Sequence, residues 1–210
     1  MDIFDLTHFI EDKMTAYSEE EKAKITTLAT IKEDGYNVLK IKLATHTGTH
    51  IDLPKHIFED GIGLDEVNLE KFIGRAIIID CRNVKVIDKE FLINYIKEIE
   101  NVEYLILKTG WEKYWNKNEY FSEYPILSVE GANFLGNIES LCGIGVDCIS
   151  IDEENNEELI NHKILLSKGK IIIENLCSLN KINSKFKIIL APLKLKNVDG
   201  SPTRVYGIVE

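Results

Sequence analysis

The sequence predicts a mixed α/β domain whose sheet contains several antiparallel strand pairs. Two observations carry this prediction. Segments with the pattern of strands alternate with segments that have the pattern of amphipathic helices, and the last two strands are joined through the turn signal Asp199-Gly200. A sheet of the doubly wound kind is therefore not expected. No repeat, low-complexity segment or change in composition marks a linker, so we predict one domain spanning residues 1–210.

The first half of the chain contains a strand followed by a strand–helix–strand unit. Residues 38–43 alternate apolar and basic side chains, which is the period of a half-buried strand. Residues 75–80 contain a short apolar run that suits a buried strand. Apolar residues recur on one helical face between positions 88 and 100, and residues 104–107 are again typical of a strand.

The second half of the chain begins with a helix that Ser128 can cap and ends in strands. The predicted elements are a helix from Ser128 to about Leu141, a strand at 145–151, a helix at 157–167 that ends near Gly169, and strands at 170–173, 186–191 and 204–209. Helices are thus expected on only part of the sheet.

The composition excludes several classes of protein. Hydrophobic residues make up 44% of the chain and charged residues 29%, so the chain can bury a core and is not expected to be disordered. Its longest apolar stretches are far shorter than the roughly 20 residues that a membrane span needs. The net charge is −10 and no basic stripe occurs, so a nucleic-acid partner is not expected either.

The expected compartment is the cytoplasm. The N-terminus is acidic and lacks the basic region of a secretory signal. The cysteines form no C-x-x-C pair, so neither a disulfide framework nor a thiolate zinc site is expected, and we predict reduced thiols, mostly buried near strands. The four cysteines are Cys81, Cys142, Cys148 and Cys177.

The most informative segment runs from position 46 to 56 and reads HTGTHIDLPKH. It holds three of the five histidines of the chain, His46, His50 and His56, together with Asp52. Imidazole and carboxylate donors suit zinc, manganese or iron. The alternative interpretation is three unrelated surface or capping histidines, but scarce histidines grouped around a carboxylate favour a metal site.

The geometry of this segment decides which side chains converge. Gly48 and the β-branched residues around it disfavour a helix. In an extended chain His46, His50 and Asp52 share one side, and even a helix would bring the two histidines together. Gly48 removes a side chain where a metal or substrate must approach. A proline two residues before His56 turns the chain, so that His56 can approach from another direction.

Two distant residues, His162 and Glu174, are candidates to complete the site. Taken alone, His162 is more often an ordinary polar residue of a helix, and Glu174 more often a charge at the end of a strand. A carboxylate at the end of a buried strand needs a partner, however, and a cation is a good one. With the three donors of the first segment they would supply five donors, enough for two ions that share one carboxylate.

Other features are open to more than one interpretation. The aromatic loop, residues 109–124, is expected either to wall a pocket for a flat substrate or to pack within the loop or against another subunit. We expect a structural role for His8, and Asp147 and Asp152 are candidates to brace the site. No nucleophile elbow, dinucleotide-binding loop or Walker-type loop occurs in the sequence.

The segment 46–56 resembles the signature of the cyclase family of metal-dependent hydrolases. The family pattern is H-x-G-T-H-x-D-x-P-x-H, and the segment matches it at every fixed position. The residues that extend the resemblance over nearly the whole chain are 5–8, 108–111, 145–152, His162, 173–176, 191–193 and 199–204. Two departures occur: the entrance segment 14–19 has neither proline nor glycine, and Asn161 stands where serine is common.

The resemblance also implies a fold, an assembly and roles for the candidate residues. The implied fold is a swivelling β/β/α domain with a mixed sheet, and the implied assembly is a homodimer or a dimer of dimers whose active sites borrow residues from the neighbour. The implied roles are one divalent metal, zinc or manganese, bound by His46, His50 and Asp52, a second bound by Asp52, His162 and Glu174, and a general acid/base at His56.

The expected activity is hydrolysis of a small amide by metal-activated water. By the resemblance, the substrate is N-formylkynurenine or a similar small aryl formamide, with His56 moving the proton. One alternative is ring-opening hydrolysis of a cyclic amide such as isatin. Another is a non-catalytic binding protein that kept the metal, which the presence of His56 disfavours.

Overall fold

The computed structural model describes residues 1–154, 156–182 and 185–209 of the 210-residue chain. Its strands are β1 (Asp2–Asp5), β2 (Lys24–Ala29), β3 (Val38–Lys42), β4 (His50–Asp52), β5 (Ile73–Asp80), β6 (Val86–Ile87), β7 (Tyr104–Lys108), β8 (Ile126–Leu127), β9 (Gly143–Val146), β10 (Ile171–Glu174), β11 (Phe186–Pro192) and β12 (Gly200–Val209). Its α-helices are α1 (Ile31–Asp34), α2 (Lys89–Ile93), α3 (Ile96–Ile99), α4 (Val129–Gly136) and α5 (Ile160–Ser167). Short 3-10 helices cover Pro54–His56, Leu64–Glu66, Leu69–Phe72, Trp111–Tyr114, Asn118–Phe121 and Leu179–Lys181. In these described ranges, no helix has the length and apolar character needed to cross a membrane.

The main sheet closes on itself. Its strand order is β1-β12-β11-β5-β7-β9-β10-β4, and β4 pairs in addition with β12, so the strands from β12 to β4 form a closed ring. The neighbours β5, β7, β9 and β10 run parallel to one another, whereas β1, β4 and β11 join the sheet through antiparallel pairs. The predicted mixed α/β fold with several antiparallel pairs is confirmed.

Strand β7 shows how the core is divided. Its side chains are all buried, because alternate residues enter two different apolar clusters. Leu105 and Leu107 pack in the cluster that includes the buried residues of the helices, whereas Tyr104 and Ile106 belong to the cluster of inward-facing strand residues. A strand covered on both faces reads as a continuous apolar run, which is why the sequence pattern identifies it.

Several helices are shorter than the apolar pattern predicts. The helix expected at 88–100 is divided into α2 and α3, and the helix that Ser128 caps ends at Gly136. In both places an asparagine amide satisfies the helix-end carbonyls, since Asn94 donates to the carbonyl of Glu90 and Asn137 to that of Asn133. The predicted strand 145–151 is shorter too, because β9 ends at Val146.

The predicted strand 38–43 forms, but it is not half-buried. It is β3, which pairs with β2 in a separate two-stranded ribbon, and every residue of β3 is exposed. The side chains of Leu39 and Ile41 are 56% and 57% exposed. We call the segment from β2 to β3 the arm. Alternation marks an apolar face in the sequence, but burial requires a partner surface, and no described residue buries β3.

Candidate metal centre

The segment 46–56 lies where the main sheet closes. Strand β4 pairs with β10 on one side and with β12 on the other. The register places Glu174 opposite His50 and Gly200 opposite Asp52. Closure of the sheet therefore brings the end of β10 and the start of β12 next to the histidine-rich segment, although both are distant from it in sequence.

Alternation along β4 separates the donors from the core. Ile51 is fully buried in the apolar cluster of strand residues, and its neighbours His50 and Asp52 face the other way. The expectation that the chain is extended from position 46 is wrong, because Gly48 has a φ of +64° and bends the chain. The bend still allows His46 to reach the site, with its Nδ1 2.7 Å from Oδ1 of Asp52.

Asp52 lies between two groups of donors. Its Oδ1 is also 3.2 Å from Nε2 of His50. Its Oδ2 is 3.4 Å from Nε2 of His162, which in turn is 3.4 Å from Oε1 of Glu174. Within each group, one potential ligand atom from each residue lies within 4.8 Å of the others. The structure thus brings together the five residues that the sequence analysis selects as metal ligands, around a shared carboxylate.

Each of the three histidines also has an acceptor on the ring nitrogen that points away from the centre. The pairs are His46 Nε2 with Asp199 Oδ2 at 2.9 Å, His50 Nδ1 with the Gly48 carbonyl at 2.8 Å, and His162 Nδ1 with Asp152 Oδ2 at 2.6 Å. An acceptor on the outer nitrogen draws the proton there and leaves a lone pair on the inner nitrogen. Metal-binding histidines are held in this way.

The buried carboxylates fit a cation. Asp52 and Glu174 are only 1% and 5% exposed, and Oδ2 of Asp52 accepts no hydrogen bond within the described residues. A desolvated carboxylate oxygen is costly unless a positive charge compensates it. Nitrogen and oxygen donors without a thiolate suit zinc or manganese. The residues present can therefore hold a divalent metal.

The pKa values show strong coupling between the carboxylates and the imidazoles. Burial alone would raise the pKa of Asp52, but the neighbouring His50 and His46 hold it well below its usual range. Burial would likewise lower the pKa of His46, yet Asp52 and Asp199 raise it to about 10. Carboxylates that hold a proton on His46 so strongly also attract a divalent cation, which would displace that proton.

His56 lies at the edge of the centre. It ends the short 3-10 helix after β4, where Pro54 turns the chain as predicted. Its Nδ1 is 3.3 Å from Oδ2 of Asp199, and its ring centroid is 4.1 Å from that of His46. The other ring nitrogen, Nε2, is therefore the one left for water or a substrate.

A cavity of about 390 Å³ opens over the donors. This volume lies in the range of small-molecule sites. Its walls include Thr15, Ala16 and Tyr17 of the entrance segment, and Ile149 and Leu159 line it together with the donor residues. The entrance segment thus lines the cavity even though it contains neither proline nor glycine.

The aromatic loop does not line this cavity. Trp111, Tyr114 and Trp115 pack against the apolar cluster that includes the helices, and Trp115 stacks on His8 with 3.9 Å between ring centroids. Of the two expected bracing acids, Asp152 accepts hydrogen bonds from His162 at the site, whereas Asp147 instead holds the start of the aromatic loop. The cysteines are free thiols, as predicted.

Asp199 is the residue of the site that the sequence analysis does not identify. In the sequence it indicates only a turn before the last strand. In the structure its carboxylate contacts both His46 and His56, and these three residues form a further group of potential ligands. The one available signal was its position in the segment 199–204, which contributes to the family resemblance.

A metal-dependent hydrolase needs metal-binding side chains that are accessible from a cavity of small-molecule size. This fold and site provide both, and they define the class of metal-dependent hydrolases. The Cyclase family model matches residues 4–153. The chain belongs to the Cyclase family, as the segment 46–56 predicts.

Individual relatives agree with this assignment. The kynurenine formamidase of Bacillus mycoides (strain KBAB4) is 36% identical over 168 residues, which cover 80% of this chain and 78% of that protein. A predicted metal-dependent hydrolase from Bacillus stearothermophilus is 26% identical, with a TM-score of 0.81 over 98% of this chain and 97% of the other. Isatin hydrolase A from Labrenzia aggregata, 23% identical, shares the fold with a TM-score of 0.87 over 100% and 94%. The predicted family, fold class and enzyme class are confirmed.

Proposed function

We propose that this protein is an arylformamidase-like hydrolase that cleaves the carbon–nitrogen bond of N-formylkynurenine or a similar small aryl formamide. The observation that carries the proposal is the shared carboxylate of Asp52, which joins two donor groups beneath a cavity of small-molecule size. The kynurenine formamidase relative supports the substrate class. We take residues 1–210 to act as one domain.

The proposed metal is zinc or manganese, as one or two ions. The proposed ligands are His46, His50 and Asp52 for one ion and Asp52, His162 and Glu174 for the other. A divalent ion bound here would supply Lewis acidity, because it would lower the pKa of a water to about 7 and polarise a carbonyl oxygen.

His56 is the proposed general acid/base. Since Asp199 accepts the proton of Nδ1, the lone pair of His56 lies on Nε2. Nε2 takes a proton from the attacking water and returns it to the leaving nitrogen, so that the amine departs uncharged. The apolar side chains of Ala16, Ile149 and Leu159 offer a surface for the aryl ring.

The direct test measures metal content and hydrolysis together. Protein loaded with zinc or with manganese should release formate from N-formylkynurenine, and a chelator should abolish this activity reversibly. Elemental analysis that finds less than about a tenth of an equivalent, with no binding on reconstitution, would contradict the proposal.

Ring opening of a cyclic amide is the second candidate. The shared fold of isatin hydrolase A favours it, and the reaction needs the same metal site and general acid/base. The values of kcat/KM for isatin and for N-formylkynurenine, measured under the same conditions, decide between the two reactions. A protein that binds the metal but hydrolyses neither compound would instead be a binding protein.

We also propose a homodimer or dimer of dimers in the cytoplasm. The apolar side of β3 supports self-association, because Leu39 and Ile41 occupy alternate positions of this strand and are both more than half exposed. Free cysteines suit a reducing compartment. Light scattering at micromolar concentration should show a dimer or tetramer. The variant Leu39→Glu/Ile41→Glu should be monomeric, while Leu69→Glu, at an exposed position outside the arm, should not.

A further inference from the structure

We propose that Asp199 is a positioning residue that couples the metal site to the general acid/base, by holding His46 and His56 through a single carboxylate oxygen. Oδ2 of Asp199 lies 2.9 Å from Nε2 of His46 and 3.3 Å from Nδ1 of His56. The inference rests on the proposed function, because it assigns His46 to the metal and His56 to proton transfer.

The backbone places Asp199 at this point with little freedom. Its carbonyl accepts the N–H of Leu53 at 3.0 Å, immediately after β4. The next residue, Gly200, pairs with Asp52, and a Cβ there would lie 2.5 Å from the carbonyl oxygen of Ile51 and 3.0 Å from Cε1 of His46. Only glycine therefore lets the chain press against β4 closely enough for Asp199 to meet both rings.

The chemistry of a carboxylate determines what this contact does. An ionised carboxylate only accepts hydrogen bonds, so the nitrogen of each ring that faces it must carry the proton. In the neutral imidazole the remaining nitrogen then has the lone pair. For His46 that nitrogen is Nδ1, which faces Asp52 and would give up its proton when a divalent ion binds, and for His56 it is Nε2. One oxygen atom thus selects the metal-binding tautomer of one ring and the basic tautomer of the other.

Asp152 provides a contrast within the same centre. Its carboxylate contacts one histidine only, His162, and accepts the backbone N–H groups of Asn161 and His162 at the start of α5. Asp199 lies at the rim, with 34% of its side chain exposed. It contacts a second histidine, where Asp152 contacts the N–H groups of a helix end. Loss of Asp152 should therefore affect metal binding, whereas loss of Asp199 should affect both metal binding and proton transfer.

The first measurement is metal affinity, which needs no substrate. Asp199→Ala removes the acceptor, and Asp199→Asn retains one oxygen that can still accept. Chelator competition should show zinc binding weakened about 10- to 100-fold in Asp199→Ala, with partial recovery in Asp199→Asn. The matched control is Asp65→Asn. Asp65 accepts the N–H of Asn197, which lies in the same loop as Asp199, but Asp65 itself lies outside the centre.

The second measurement reports the tautomer of His56 directly. In zinc-loaded protein near pH 8, two-bond ¹H–¹⁵N NMR correlations show which ring nitrogen carries the proton, and the spectrum of His56→Ala identifies the signal. Wild type should show the proton on Nδ1, and Asp199→Ala should show a mixture of tautomers. This readout would not change if Asp199 only supported the fold.

The third measurement tests the coupling during catalysis. At saturating metal, Asp199→Ala should lower kcat about 10- to 100-fold with little change in KM. In a His56→Ala background the same substitution should change kcat by less than about twofold, because there is no longer a general base to position.

The proposal would be overturned by a zinc affinity of Asp199→Ala within about twofold of wild type, or by an unchanged His56 tautomer. Equal losses of kcat in both backgrounds would overturn it as well. If metal-loaded wild type hydrolyses no amide, the proposed function fails, while the affinity and NMR measurements still decide the role of Asp199.

Discussion

The two donor groups of the centre differ in how the chain builds them and in how they meet solvent. One comes from the continuous segment 46–56 and reaches the rim, where the side chains of His46 and His56 are 19% and 26% exposed. The other takes His162 from α5 and Glu174 from β10, with 4% and 6% exposed. In the proposed function, His56 beside the open group exchanges protons with a substrate, and the buried group holds a cation.

The carboxylates that hold the histidines of the two groups, Asp152 and Asp199, differ in the same way. Asp152 ties His162 to the first turn of α5, so the buried group is anchored to a helix end whose free N–H groups stabilise the carboxylate. Asp199 ties His46 to His56 across the rim. Substitutions in the two groups should therefore have distinguishable consequences.

The largest effect is expected for Asp52, because it belongs to both groups. Asp52→Ala should lower bound metal to less than about a tenth of an equivalent and abolish hydrolysis. Elemental analysis after dialysis checks this, with Asp65→Ala as the control for an acid outside the centre. Retention of a full equivalent in Asp52→Ala would show that the carboxylate is not shared.

The next largest effect separates the rim from the metal site. His56→Ala should lower the hydrolysis rate about 10²- to 10⁴-fold while metal content and fold are retained, because His56 is outside the proposed ligand set. Steady-state kinetics and elemental analysis on the same preparation measure both quantities. Loss of metal together with activity would make His56 a ligand, and unchanged turnover would remove its acid/base role.

A smaller effect tests the buried group alone. Glu174→Ala should weaken metal binding at least about tenfold, while the group formed by His46, His50 and Asp52 keeps its donors. Isothermal titration with zinc reports both affinity and stoichiometry. Glu158→Ala, at an exposed position, is the matched control. If Glu174→Ala binds and hydrolyses like wild type, Glu174 is an ordinary charge at the end of a strand.

The smallest effect on the metal centre is expected for His8, which lies outside both groups and should instead affect stability. Burial lowers the pKa of His8 from 6.5 to about 4, and its ring stacks on Trp115. Because the unfolded chain takes up the proton first, His8 should reduce the free energy of unfolding as pH falls from 6.5 toward 4, by up to about 3 kcal/mol. Urea unfolding at pH 7 and pH 4.5 should show a smaller loss for His8→Phe, which keeps a stacking ring. Equal losses would mean that His8 is protonated in the folded protein.

How far each donor could be predicted follows from its distance along the chain. His50 and Asp52 occupy alternate positions of one strand, so their shared side follows from the strand period alone. His162 and Glu174 stand out only as polar residues in apolar elements, and the family resemblance was needed to assign them. Asp199 contacts His46 across 153 positions, a contact that no local pattern indicates.

Burial was predicted less well than secondary structure. The alternation in 38–43 identifies β3 but not its exposure, and the aromatic loop was open to two interpretations, of which the structure shows packing around His8 and Trp115. In both cases the sequence indicates an apolar surface but does not indicate which other part of the protein, if any, packs against it.

By itself the sequence determined the chemistry of the centre, because the identity and spacing of the donors in 46–56 are local properties of a short segment. Only the tertiary structure decided that Asp152 and not Asp147 braces the site, that Asp199 contacts His46, and that the entrance segment borders the cavity. These relations depend on the register with which β4 joins β10 and β12. That register results from closure of the whole sheet and not from any one segment.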